Sequence, residues 1–141
     1  MIIALLGVAT AAVLLTLSGL HFYWAAGGRW KLSAAVPEVR GAKPFSPGPL
    51  ACAAVGTALL CAAFFVSCAA RLWLGEGVPH ALSRAGTAAL ALVLIGRAIG
   101  DLRYVGFFKR VRGTRFARLD TLVYSPLCLA LGAASALIAA A

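Results

Sequence analysis

The sequence has few charges, and very few of them are negative. Of the 141 residues, 12% are charged and four are acidic, whereas 62% are hydrophobic. A soluble domain has about 25% charged residues, so that class is excluded, and a chain this apolar would not stay disordered in water. Asparagine and glutamine are absent. Polar interactions within the membrane segments must therefore come from the few Ser, Thr, Tyr, His, Arg and Asp side chains.

Familiar catalytic and metal-binding patterns are also missing. The chain contains no Gly-x-Ser-x-Gly, no His-Glu-x-x-His and no phosphate-binding glycine motif. Its four cysteines lie in apolar segments, and their spacing matches neither a redox pair nor a zinc framework. The two histidines, His21 and His80, fall on opposite sides of the predicted membrane. We therefore expect no metal and no cofactor, and we favour a non-enzymatic role.

What the sequence does contain is four long apolar runs. A helix needs about 20 residues to cross a hydrocarbon core of roughly 30 Å, and these runs lack the alternation of barrel strands. The first run begins without the basic residues of a signal peptide, so we expect it to remain in the mature protein. The prediction is an all-α integral membrane four-helix bundle, a single domain over residues 1–141, with helices at about 2–24, 49–74, 81–102 and 122–141.

The basic residues distinguish the two ends of this bundle. Eleven of the thirteen Lys and Arg residues lie in two of the segments that link the helices. These are the first link and the third link, counted from Arg97, whereas the second link has only Arg71 and Arg84. The positive-inside rule then predicts both termini outside and two basic cytoplasmic loops. Aromatic residues agree with this orientation, because most gather at the predicted cytoplasmic boundary and Trp73 lies at the other one.

The net charge of +9 indicates that the protein interacts with an anionic partner. In a soluble chain it would suggest nucleic acid, but here the basic residues lie beside membrane helices on the side that faces anionic lipid. We therefore expect the lipid bilayer and its anionic headgroups as partners, and no nucleic acid. Small residues such as Gly96 and Gly100 would allow close helix packing, so a homo-oligomer or a membrane-protein partner also stays open.

The helical repeat gathers the few polar residues into one group. Arg97 and Asp101 are four residues apart on the third helix and therefore within side-chain reach. His21 and Asp120 belong to the same depth, near the cytoplasmic boundary. On the first helix the inward stripe is Gly7, Thr10, Leu14, Ser18, His21, Ala25 and Gly28, and on the third it is Gly86, Leu90, Val93, Arg97, Gly100, Asp101 and Tyr104. The candidate ligand-binding residues are His21, Arg97, Asp101, Asp120, Tyr124 and Arg103.

Two interpretations of this group stay open. In the first it is a pocket, where Arg97 and Arg103 bind an anionic group, Asp101 holds Arg97 in position and His21 exchanges a proton. In the second it is a structural clasp that fixes helix register, with Asp120 as the N-cap of the fourth helix. The preferred function is binding of an anionic lipid or amphiphile in the pocket. The alternatives are a small transporter or membrane-complex subunit, and a membrane enzyme that acts on a lipid-linked substrate.

Several segments of the chain resemble those of a known family. The matching segments are 21–30 (HFYWAAGGRW), 36–37 (VP), 97–103 (RAIGDLR), 116–121 (FARLDT) and 124–128 (YSPLC). Together they are similar to a bacterial family of small four-helix membrane proteins known as domain of unknown function 3995. The resemblance implies a four-helix membrane fold and a multi-pass location in the bacterial inner (plasma) membrane. It implies no activity, no substrate and no catalytic residue.

Overall fold

The computed structural model describes residues 1–37, 47–72 and 77–141. In chain order its elements are α1 (Ile2–Ala25), α2 (Leu32–Ala35), α3 (Pro49–Ala69), α4 (His80–Ile99), α5 (Arg115–Leu119), a π-helical turn (Asp120–Tyr124) and α6 (Ser125–Ala140). Within these residues, four helical spans are long and apolar enough to cross a membrane: α1, α3, α4 and the continuous span Arg115–Ala140. The predicted all-helical fold with four long apolar helices is confirmed. The expectations for Arg40, Lys43 and Trp73 fall outside the described residues.

The four long helices follow one another around the bundle in chain order. α1 packs mainly on α3 and α4 mainly on α6, while α3 also contacts α4 and α1 also contacts α6. Leu14, Val66 and Ile138 are fully buried between them. Large apolar side chains cover the outer surface, where Leu92 is 74% exposed. Such a continuous apolar surface is typical of a protein that contacts lipid.

Small residues hold the helices close together. The Ser18 hydroxyl donates a hydrogen bond of 2.7 Å to the Gly56 carbonyl, which joins α1 to α3. A Cβ at Gly132 would lie 2.8 Å from the Ile95 side chain, so α6 can approach α4 this closely only with glycine. The inward stripe of α1 is confirmed over its first four positions, since the buried residues of this helix include Gly7, Thr10, Leu14 and Ser18.

α3 ends at Ala69, earlier than the predicted end at Leu74. Arg71 adopts a left-handed conformation with φ 54°, and the Leu72 N–H donates to the Ser67 carbonyl at 3.0 Å. This is a Schellman ending, a position where glycine is the usual residue. Because an arginine takes that position and apolar residues continue beyond it, the sequence contains no obvious stop signal.

α4 also ends earlier than predicted, at Ile99 instead of Leu102. Gly100 takes φ 98°, a conformation that a continuing helix does not allow, so this glycine ends the helix. The predicted inward stripe was also wrong in part, because Val93 is 68% exposed. The buried residues of α4 are Ser83, Thr87, Ala91 and Ala98.

The last helical span begins at Arg115, well before the predicted start at Leu122. The Thr114 hydroxyl caps it by accepting a 3.0 Å hydrogen bond from the Ala117 N–H. The proposed N-cap role of Asp120 is therefore wrong, because this residue lies inside the helical span. A polar N-cap at Thr114 satisfies one of the free N–H groups of the first turn.

Candidate functional site

Most of the described basic residues lie at one end of the bundle. The C-terminal ends of α1 and α4 meet the N-terminal ends of α3 and α5 there, together with α2 and residues 100–114. We call it the basic end. Its described basic residues are Arg29, Lys31, Arg97, Arg103, Lys109, Arg110, Arg112, Arg115 and Arg118. At the opposite end the described basic side chains are those of Arg71 and Arg84.

Asp120 lies in the π-helical turn and is completely buried. In this turn the Ser125 N–H donates to the Asp120 carbonyl, five residues back instead of four. The π-helical turn comes just before Pro126, which has no N–H to donate. Turns of this kind are rare in helices and frequent at functional sites.

The Asp120 carboxylate accepts four hydrogen bonds. Oδ1 accepts from Arg97 Nη2 at 2.7 Å. Oδ2 accepts from the Gly106 N–H at 2.8 Å, from Lys109 Nζ at 2.9 Å and from the Ser125 hydroxyl at 3.2 Å. One buried carboxylate is thus shared by two cations, and the group as a whole is positive.

Lys109 is the residue of this group that the sequence did not reveal. It was expected to contact headgroups with the other basic residues of its loop, but it is only 3% exposed. Besides Asp120, its ammonium group donates to the Gly106 carbonyl at 2.8 Å and to the Thr121 hydroxyl at 2.7 Å. All three donors of the ammonium group are therefore used, as burial of a lysine requires.

The loop after α4 brings Lys109 to Asp120 by folding back on the helix end. Gly100 and Gly106 meet backbone to backbone, with no room for a side chain on either, and both have positive φ. The Phe107 N–H donates to the Ala98 carbonyl at 2.8 Å, which pairs a carbonyl at the end of α4. The loop is therefore a fixed part of the basic end.

Arg97 is partnered inside the bundle, as predicted, but by Asp120 and not by Asp101. Its side chain is 31% exposed. Nη2 forms the ion pair with Asp120, while Nη1 is buried and has no hydrogen-bond partner among the described residues. Asp120 therefore fixes one edge of this guanidinium group, while the side chain as a whole stays partly exposed.

Asp101 has a different role from the one predicted. Because α4 ends at Ile99, the four-residue spacing no longer brings its side chain to Arg97. It is exposed, and its Oδ1 accepts from the N–H groups of Arg103, Tyr104 and Val105 at 2.6 to 3.0 Å. Partial desolvation raises the pKa of Asp101, but these backbone hydrogen bonds lower it by more, so the pKa lies below its usual value. Asp101 organises the loop.

His21 and Tyr124 both lie beside Arg97 on the wall of one cavity. His21 Nδ1 donates to the Leu17 carbonyl at 2.8 Å, which makes Nε2 the unprotonated nitrogen of the neutral ring. The Tyr124 hydroxyl donates to the Ala34 carbonyl at 3.2 Å and so connects the π-helical turn to α2.

The cavity has a volume of about 730 Å³. Its polar lining residues are His21, Lys31, Arg97, Arg115, Arg118 and Tyr124. No acidic side chain belongs to its lining within the part of the chain that the structure describes. Apolar residues of α1 and of the last helical span form much of the remaining wall, among them Leu17, Leu20, Trp24, Leu119 and Val123, and Trp30, Ala34 and Ala35 complete it.

The structure brings together four of the six predicted site residues. Asp120 binds Arg97, which lines the cavity with His21 and Tyr124. Asp101 and Arg103 do not line it, and the Arg103 guanidinium group lies over the Tyr104 ring at 5.0 Å. Lys31, Arg115 and Arg118 were not predicted as site residues. Their positions depend on α2 and α5, two short helices that the apolar runs do not predict.

Metal binding finds no support in this arrangement. Over residues 1–37, 47–72 and 77–141, no group of three or more His, Cys, Asp or Glu side chains could hold a metal ion.

The comparison with known families agrees with the fold. The sequence profile of the family described as "Protein of unknown function (DUF3995)" matches residues 14–135. The chain belongs to this family. The match covers α3 and α4 completely, α1 and α6 in part, and every residue that lines the cavity, so the site lies within the DUF3995 region. No curated protein and no solved structure matches the chain.

Proposed function

We propose that this DUF3995 protein binds an anionic lipid, or another anionic amphiphile, in the cavity at its basic end. The observation that carries the proposal is the cavity lining, where Lys31, Arg97, Arg115 and Arg118 have no acidic neighbour among the described lining residues. Of these four, Arg97 alone has a carboxylate partner among the described residues, and it shares that partner with Lys109. An anionic ligand would compensate this charge.

The distribution of residues along the cavity favours an amphiphile. α1 runs towards the basic end, so Leu17 and Leu20 lie nearer the middle of the bundle than Trp24 does. Val123 likewise lies deeper than Arg115 and Arg118 along the last helical span. A headgroup would therefore meet the cations at the mouth, while an acyl chain would lie along the apolar residues further in.

The position of the charge also supports an orientation. We place the basic end in the cytoplasm and both termini outside, because basic residues concentrate on the inner side of bacterial inner-membrane proteins. The cavity would then open at the leaflet surface where anionic headgroups are in contact with the cytoplasm. Alkaline phosphatase fused after Ala141 should be active and a fluorescent protein fused there should be dark. The reverse pattern would contradict this orientation.

Native mass spectrometry can test the binding proposal. The protein would be extracted with its own lipids as wild type and as the double variant Arg115→Gln/Arg118→Gln. Both arginines are exposed, and neither is a hydrogen-bond or ion-pair partner of Asp120. We expect wild type to retain a discrete anionic lipid that the variant loses. Arg110→Gln is the matched control, because Arg110 is an exposed arginine outside the cavity lining.

Two results would refute binding in this cavity. One is an equal amount of the same anionic lipid on wild type and on the double variant. The other is loss of the lipid from Arg110→Gln as well, which would show general attraction to a positive surface and not a site. A thermal unfolding curve for each variant verifies that lipid loss is not a consequence of unfolding.

A further inference from the structure

We propose that the headgroup bound in this cavity is a phosphate monoester, held through its three terminal oxygens in preference to a phosphodiester. The inference rests on the proposed function and specifies its ligand class. It follows from two independent features of the site, which are the number of uncompensated charges and the arrangement of the guanidinium groups.

The charge of the site exceeds what one negative charge can compensate. Lys31, Arg115 and Arg118 line the cavity without an ion-pair partner among the described residues, and Arg97 shares its only carboxylate. A phosphodiester headgroup has one negative charge on its phosphate. A phosphate monoester carries about −1.5 to −2 at pH 7. The monoester therefore compensates more of the charge that the cavity wall presents.

The guanidinium groups also match the number of oxygens. Arg115 and Arg118 are three residues apart on α5, which places them on the same face of the helix. Arg97 adds a third guanidinium group, which Asp120 holds on one edge and whose partly exposed side chain lines the cavity. Guanidinium groups bind phosphate oxygens through paired N–H donors. A monoester presents three terminal oxygens to three such groups, whereas a diester presents two.

The same chemistry occurs in a lipid headgroup and in a soluble phosphate monoester. The apolar part of the wall, with Leu17, Leu20 and Val123, favours the lipid. A soluble monoester would leave these side chains without a ligand group to cover them, and would gain no free energy from apolar burial. The test therefore includes one probe with acyl chains and one without.

The experiment compares lipids that differ by one methyl group. Delipidated protein in neutral detergent would be titrated with dioleoylphosphatidic acid, with dioleoylphosphatidylmethanol, with dioleoylphosphatidylcholine and with glycerol 3-phosphate, and occupancy read by native mass spectrometry. We expect phosphatidic acid to bind at least about fivefold more tightly than phosphatidylmethanol, since one further ionic contact near a membrane surface is worth about that factor. The preference should disappear in Arg115→Gln/Arg118→Gln and persist in Arg110→Gln.

The outcomes separate this inference from the proposed function. Equal binding of phosphatidic acid and phosphatidylmethanol, lost in the double variant, would overturn the monoester preference and leave anionic lipid binding in place. Binding of neither above phosphatidylcholine would overturn both. Glycerol 3-phosphate bound as tightly as phosphatidic acid would support the monoester site and overturn the lipid as its ligand.

Discussion

Asp120→Asn keeps the shape of a buried side chain and removes its charge. In wild type this carboxylate is completely buried and pairs with Arg97 and Lys109. The asparagine leaves two cations facing a neutral group, one of them a lysine that is 3% exposed. Loss of one partner from a buried ion pair costs about 3–5 kcal/mol, because the remaining charge stays without compensation. We expect the free energy of unfolding to fall by about this amount.

Lys109→Met, alone and combined with Asp120→Asn, tests whether the cost of Asp120→Asn comes from the uncompensated charge of Lys109. Lys109→Met alone should cost about 1–3 kcal/mol, since Asp120 keeps Arg97 and its neutral donors. In the Asp120→Asn background the same change removes an uncompensated ammonium group. The double variant should therefore be more stable than the sum of the single costs predicts, by about 0.5–3 kcal/mol of coupling.

The assay is SDS-induced unfolding in mixed micelles, followed by tryptophan fluorescence. Asp101→Asn is the matched control, because it makes the same substitution at an exposed carboxylate, keeps an oxygen for the backbone hydrogen bonds of the loop and leaves no buried charge uncompensated; it should therefore cost clearly less than Asp120→Asn. Additive costs for Asp120→Asn and Lys109→Met would refute the reasoning, as would an Asp120→Asn variant as stable as the control. Either result would mean that the two charges do not depend on each other in the folded protein.

Three further changes test other parts of the basic end and the opposite end. Gly106→Ala should lower the free energy of unfolding by more than Gly113→Ala in the same titration. Both glycines have positive φ, but of the two only Gly106 would place a Cβ against backbone atoms. Equal costs would show that the close backbone contact at Gly106 does not contribute to stability. Arg84→Ala should speed hydrogen exchange in the last turn of α6, whose carbonyls it binds at 2.7 and 3.4 Å, and an unchanged rate would contradict that capping role. Asp101→Ala should lower the melting temperature at pH 6. Because the pKa of Asp101 is lowered in the folded state, its contribution is complete above the usual Asp pKa of about 3.9 and fades as the pH falls through the folded value, so melting curves of variant and wild type should converge at low pH.

The helices and the basic end could be predicted because each depends on local properties of the chain. A sufficiently long run of apolar residues identifies a membrane helix wherever it occurs, and counting basic residues in each link identifies the basic end. The positions where the helices end were harder to predict from the sequence. Arg71 occupies a left-handed position usually taken by glycine, and Gly100, expected to allow helix packing, ends α4 instead.

The pairing within the site depended on those ends. The expected contact between Arg97 and Asp101 required the helix to continue through both residues, and it ends at Ile99. Lys109 reaches Asp120 only through the path of a loop that folds back at Gly106. No periodic pattern encodes such a path. The sequence offered one indirect signal, which is that two acidic residues, Asp101 and Asp120, lie among seven cations in residues 97–120, so that a buried one must find its partners among them.

The π-helical turn sets the angular phase of the cavity wall. An i to i−5 hydrogen bond encloses one more residue than an α-helical bond, and one residue corresponds to about 100° of rotation around an α-helix. Arg115 and Arg118 precede this turn, while the residues that pack against α4 follow it. Deletion of Leu122, a residue of the turn that does not line the cavity, should restore a regular helix and rotate the two arginines away from the cavity. The extra residue therefore rotates the first part of the helical span relative to the second. As a result, the second part packs in the bundle with one face, and the first part presents its arginines to the cavity with another.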